Sequence, residues 1–226
     1  LRARRAANPD QQAEILIRLG DLEVRTGDVQ AARMHFGQGL ELARAGRDRV
    51  QEALALDGLG FVLPSVGGSR WDAEASLLYA LHVRRAREDR FGEARSLANY
   101  LAFLQTGGAF DRVMELSDQA LAANEAVGYR LGAAVVRAAQ GLAVCALGDF
   151  ASARQLITAA IDHFRSMGDA DGVAVYMTSL GVVAEREGKL DEASAHLEAA
   201  LTLAQTHHAR LYGALAQQAL GAVRLR

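Results

Sequence analysis

The chain has 226 residues, half of them hydrophobic and 23% charged, with a formal net charge of −2. That near-neutral balance gives no electrostatic reason to expect nucleic acid or an acidic membrane as partner, and the apolar content excludes a disordered chain. The single cysteine, Cys145, excludes an internal disulfide framework and fits a reducing, cytoplasmic compartment.

The chain begins at Leu1 rather than Met, which reads as a segment excised from a longer protein, and "LRARR" at 1–5 is the one basic cluster. The sequence carries no leader-like opening, so no secretory leader is expected. No apolar run approaches the roughly 20 residues needed to span a bilayer. Only two prolines interrupt a composition rich in Ala, Leu, Arg, Glu and Gln, so every element is expected to be helical. In chain order, paired helices are expected at 11–26 and 29–45, 48–65 and 71–88, 91–106 and 110–126, 130–147 and 150–166, 170–187 and 190–206. A last helix at 209–225 has no partner in the chain.

The pairs repeat. Gly20, Gly60, Leu101, Gly141, Gly181 and Gly221 form one column, with steps of 40, 41, 40, 40 and 40. Seven residues before each stands Ala13, Ala53, Ala94, Ala134, Ala174 or Ala214. Seven residues after the first five stands Gly27, Gly67, Gly108, Gly148 or Gly188. A fourth column is Ala32, Ala75, Val113, Ala153 and Ala193, with three extra residues in the second unit at "GGSRW". The later glycine suits the left-handed turn that closes a helix. The earlier one sits inside a helix at a cost of about 1 kcal/mol against Ala. A cost repeated on a fixed period suggests that a neighbouring helix backbone comes close. One pair cannot bury its own apolar face, so successive pairs must stack into a solenoid over the whole of 1–226, with repeats at about 11–47, 48–89, 90–128, 129–168 and 169–208.

Leu19, Gly20, Gly27, Ala32 and Phe36, and again Leu180, Gly181, Gly188, Ala193, Leu197 and Ala200, resemble the tetratricopeptide repeat. The aromatic residue after Leu-Gly and the terminal Pro of that repeat are absent, and the period is longer than its standard 34. The links "GDADGVAVYMTSLG" and "DRFGEARSLANYL" are similar to the long-repeat branch, found in bacterial MalT-like and AfsR-like regulators and in Pins-type scaffolds. The resemblance implies a right-handed all-α solenoid that binds a protein or peptide segment along its first helices. It also implies a place in a larger bacterial transcriptional or signalling regulator.

Signatures of catalysis are sparse. The six histidines include His35 and His196 at equivalent positions, His82 on a second helix, and the adjacent His207 and His208. None falls in a metal-ligand spacing, and no GxxxxGK[ST] loop occurs. Cys145, in "LAVCALGD", reads as a small buried hydrophobe. No catalytic residue, metal or cofactor is expected.

The resemblance places groove positions about six and three residues before the glycine column, and one and four after it. It selects Asp57 and Phe61, Arg95 and Gln105 with Asn99 beside them, Leu142, and Val182 with Glu185. In the long-repeat branch, Arg and Asn in the places of Arg95 and Asn99 hold the carboxylates and backbone of a bound peptide. Two readings of them stand open. They contact a ligand, or Arg95 pairs with a neighbour such as Asp57 while Asn99 satisfies backbone groups between repeats. The alternatives are a scaffold that self-associates through the stack ends or inhibits an attached effector domain, and a sensor with a small molecule on the apolar floor at Phe61, Leu142 and Val182. Trp71 is either an exposed contact or a cap on the core, and Pro64 is expected to bend or end its helix.

Overall fold

The computed structural model describes residues 9–226, in which every regular element is helical. The basic run at 1–5 lies outside the described residues. The helices are α1 (Pro9–Thr26), α2 (Val29–Gly46), α3 (Arg49–Val62), α4 (Arg70–Ala86), α5 (Arg90–Thr106), α6 (Phe110–Ala126), α7 (Arg130–Ala146), α8 (Phe150–Ser166), α9 (Ala170–Arg186), α10 (Leu190–Thr206) and α11 (Arg210–Arg224). Odd numbers are the first helices of each pair and even numbers the second. A 3-10 turn, Leu63–Val66, follows α3, so Pro64 does end its helix.

The boundaries come from short polar side chains and left-handed residues. Asp28, Asp48, Ser69, Asp149 and Asp169 each accept from backbone N–H groups of the helix they open, a contribution of about 1 kcal/mol apiece. The glycine that closes a first helix has positive φ in every pair, from Gly27 at 86° to Gly188 at 86°. Between pairs the same conformation falls on Arg47, Glu88, Gly128, Gly168 and His208.

The chain divides into two compact units, Leu1–Ser96 and Leu97–Arg226, and α5 runs across the division. In the first unit α1 packs on α2, α2 on α3 and α3 on α4, and α1 also touches α3. In the second, α6 through α11 pack each on the next, and α7 touches α9 as α9 touches α11. Within each unit, among the described residues, second helices do not touch one another. Successive pairs are therefore closer on the first-helix side, which makes that side the inside of each unit's curve. This is the all-α solenoid of stacked helix pairs that the repeat demanded.

The glycine column acts differently from the expectation. A Cβ at Gly20 would meet the Phe36 ring at 2.7 Å, one at Gly141 Ile157 at 2.8 Å, and one at Gly181 Leu197 at 2.6 Å; Gly60 is crowded by Leu77 in the same way. Each neighbour lies on the second helix of the same pair, so the column closes a repeat on itself and does not join it to the next. Leu101 stands in the glycine column of the third pair. There Ser117 occupies the place of the large side chain, and both are buried, so the large residue of the pair stands on the first helix instead of the second. The fourth column needs one correction too. Its second member is the buried Ala73, not the exposed Ala75, because the turn is lengthened by Gly68 alone.

A second size rule joins one pair to the next. A Cβ at Gly92 would meet Arg84 Cδ at 2.6 Å, and Gly132 and Gly172 are likewise filled by Asn124 and Phe164 of the preceding second helix. Where that helix ends instead in Ala43 or Ala204, the residue eight further on is Gln51 or Tyr212. The larger side chain then comes from the other side of the junction, so one side fills it and the other stays small.

Candidate functional site

Three rungs of the inner face in the first unit bring charges together. Asp57 on α3 is 6% exposed. Its carboxylate faces Arg84 Nη1 at 2.7 Å and Arg95 Nη2 at 3.5 Å, and Oδ1 accepts from Ser96 Oγ at 3.2 Å. Arg84 comes from the second helix α4 and is as deeply buried. It donates to Ser96 Oγ and, at 2.9 Å, to the Gly92 carbonyl. Burial pushes the Asp57 carboxyl above its ordinary value, against the attraction of Arg84 and then Arg95. Burial likewise pulls the Arg84 guanidinium down, with Asp57 opposing.

Arg95 leaves more of itself to solvent, 29% of its side chain. Its Nε is buried without a hydrogen-bond partner. Asp21, five residues before the end of α1, is exposed, yet partial burial raises its carboxyl above the ordinary range. Arg95 and Arg18 pull it back and Asp57 repels it. Phe61, at the end of α3, is 52% exposed. The first unit thus offers an aromatic face, one accessible guanidinium and one accessible carboxylate over a buried ion pair.

The predicted positions in the second unit differ in character. Asn99 on α5 is exposed and Gln105 half-buried. Leu142 on α7 is half-buried against the core of Ala138, Ile157 and Val183. Val182 on α9 is half-buried; Glu185, one turn on, pairs with Arg226 Nε at 3.3 Å. This surface is mostly aliphatic. Cys145 lies buried at its floor, and burial raises its thiol above the ordinary value.

Counting along the repeat found Asp57 and Arg95 but missed Arg84, Ser96 and Asp21. Arg84 sits in "HVRRARED", which reads as a solvated basic face. Only the glycine eight residues later signals that a large side chain turns inward. Trp71 is 83% exposed, so it does not cap the core. Among the described residues no group of His, Cys, Asp and Glu is placed to hold a metal ion, and no helix is long and apolar enough to cross a membrane.

Residues 132–206 match the family model of the tetratricopeptide repeat. No curated protein matches this sequence. Among solved structures the chain is similar to a Rap protein complexed with competence and sporulation factor, at 13% identity and a TM-score of 0.68 over 97% of this chain and 65% of that one. It is similar to a signal-transduction ATPase from Pyrococcus horikoshii that has a tetratricopeptide-repeat sensor, at 17% identity and a TM-score of 0.61. It is also similar to aspartyl phosphate phosphatase F from Bacillus subtilis, at 10% identity and 0.65. It spans 34% of the ATPase chain and 61% of the phosphatase chain, and 98% and 97% of itself is matched. Likeness at these identities is likeness of fold.

Proposed function

We propose that this chain, a tetratricopeptide-repeat protein, is a non-catalytic binding module for a peptide or extended protein segment, serving as the sensor or regulatory part of a larger bacterial regulator. One observation carries the reading: first helices lie on the inside of each unit's curve, where they offer Phe61 and a few polar anchors in the first unit and a mostly aliphatic surface in the second. A rigid concave surface of that kind recognises an extended chain by shape and a handful of hydrogen bonds. Arg95 is the anchor in the first unit, held in place by Asp57, which Arg84 and Ser96 fix in turn. Leu142 and Val182 supply apolar contact in the second. The sensor named for the Pyrococcus ATPase and the factor bound to the Rap protein support the class of function.

The test is selection of peptides from a displayed library on the purified chain, with affinities measured by calorimetry. Arg95→Ala for the first unit and Val182→Arg for the second are the informative variants. One of them should weaken a selected peptide at least tenfold. Unchanged affinity in both removes the first-helix faces from recognition.

A further inference from the structure

Trp71 heads an outward seam on α4 that differs from the same stripe of every other second helix among the described residues. The exposed Trp71, Ala75, Leu78, His82 and Arg85 recur at intervals of four and three residues, which sets them in one line along the helix. Trp71 is 83% exposed, and Leu78 and the adjoining Tyr79 are each 41% exposed. The opposite stripe, Ala73, Leu77 and Ala80, is buried and packs on α3. The places of Trp71 and Leu78 hold Asp111 and Asp118 on α6, Asp191 and Glu198 on α10, and small or polar residues on α2 and α8. A helix face left in water is ordinarily polar, and at these two places α4 alone departs from that rule. It is not an end helix, since helix pairs precede and follow it in the sequence.

Charge supplies an independent sign. Asp72 stands in the first turn of α4 and Arg85 in the last, and both are exposed at the margin of the seam. The Arg85 Nε is held by Glu93 at 2.7 Å, and 47% of the side chain stays open to solvent. A helix with an acid at one end of an apolar stripe and a base at the other complements itself when reversed. The stripe on α6 does not: reversed on itself it sets Asp118 against Asp118 and Asp111 against Glu125.

We propose that this seam binds a second copy of the chain, the two α4 helices lying antiparallel about a two-fold axis at Leu78. The spacing then matches residue by residue. Leu78 meets Leu78 of the second copy, and the small Ala75 receives the ring of its His82. Trp71 and Asp72 face its Arg85, one as an aromatic surface for the guanidinium and the other as counter-charge. Symmetry makes each unlike contact occur twice, as in any isologous pair. A parallel arrangement would set Asp72 on Asp72 and Arg85 on Arg85, so charge selects the antiparallel one. One helix on another is a small interface by the standard of stable complexes, and the dimer is accordingly weak and concentration-dependent. The seam lies on a second helix, away from the first-helix faces assigned to peptide binding, so failure of either reading leaves the other standing.

The test is sedimentation velocity of the purified chain over a range of concentrations, with the emission of Trp71, its single tryptophan, followed in parallel. Monomer and dimer in exchange are expected, with emission moving to shorter wavelength as the dimer forms. Leu78→Arg, at an exposed position, should weaken association at least tenfold with unchanged circular dichroism. Asp72→Arg and Arg85→Asp should each weaken it as well. An equimolar mixture of those two variants should associate as the unaltered chain does, because a mixed pair restores both charge contacts. A chain that stays monomeric at every concentration overturns the proposal, whether or not its Trp71 emission then responds to anionic lipid vesicles. So does a dimer that Leu78→Arg leaves intact, or a mixture that associates no better than its components.

Discussion

Arg84 and Phe164 hold the same place in the repeat, eleven residues after the buried Ala73 and Ala153, yet they join one pair to the next by opposite chemistry. In the first unit the junction is ionic: Arg84 meets Asp57 and Ser96. In the second it is aromatic. Phe164 meets Tyr176 with the rings tilted by 31° and centroids 5.1 Å apart, Tyr176 stands in the register of Ser96, and Ala138 in that of Asp57. Both junctions tuck against a glycine, Gly92 or Gly172. Geometry is therefore what the repeat conserves, and the means of filling it is free. The two solutions differ in how they fail. An apolar junction loses packing when trimmed, whereas an ionic one leaves a charge buried without its partner.

The largest expected effect breaks the ionic junction from one side. Arg84→Ala leaves the buried Asp57 carboxylate with only Ser96 and the longer Arg95 contact, and should cost about 3–5 kcal/mol in urea denaturation. Transplanting the other unit's solution, Asp57→Ala with Arg84→Phe and Ser96→Tyr, should recover most of that loss, since well-packed apolar groups often replace a buried ion pair at no net cost. A triple variant as unstable as Arg84→Ala would mean that the junctions are not interchangeable.

Next come matched glycine substitutions. Gly172→Ala drives a Cβ into the Phe164 ring and should cost about 1–3 kcal/mol through overpacking. Gly221→Ala meets nothing and should stabilise by up to about 1 kcal/mol through helix propensity alone. Thermal unfolding of the two variants reads out opposite signs for one chemical change. Equal signs would dissolve the distinction between filled and open columns.

The periodicity that revealed the repeat did not say what each small residue touches. A fixed period shows that a constraint recurs, and only distances show whether it lies within a pair or between pairs. The glycine at 20, 60, 141 and 181 looked like a contact between repeats and closes a pair instead. The close contacts between repeats involve Gly92, Gly132 and Gly172, and Gly58 against Phe36 of the first pair; none recurs in every pair, so none shows as a full column. The first three were legible only as a correlation eight residues apart: Arg84 with Gly92, Asn124 with Gly132, Phe164 with Gly172, and the reverse at Ala43 with Gln51. The helices themselves were plain, because capping Asp residues and left-handed glycines announce their ends locally. Ala75 was misplaced for the same local reason, since a single inserted Gly68 shifts the register without altering the composition. The polar site was half legible. Asp57 and Arg95 follow from counting, but Arg84 approaches from another helix, through burial that no linear pattern records.

Smaller effects sharpen the contrast at the surface of the second unit. Arg154 on α8 meets Glu187 and Glu192, with the Arg154 Nη2–Glu187 Oε2 contact at 2.5 Å, and its side chain is 24% exposed. Water reaches this network, unlike the Asp57–Arg84 pair. Arg154→Ala should therefore cost only about 1 kcal/mol, and the loss should shrink in 0.5 M salt as screening weakens the pairs. The smallest effect concerns His163 on the same helix. Burial lowers its imidazole pKa, Arg130 and then Arg137 lower it further, and its Nε2 is buried without a hydrogen-bond partner. The folded chain therefore takes up a proton there less readily than the unfolded chain. Below the ordinary value of 6.5 the unfolded state binds more protons, so stability falls as the pH drops from 7 toward the depressed folded value. His163→Gln removes that contribution. Denaturation midpoints at pH 7 and pH 5 should then differ less in the variant than in the unaltered chain, and an identical pH dependence would place the proton uptake elsewhere.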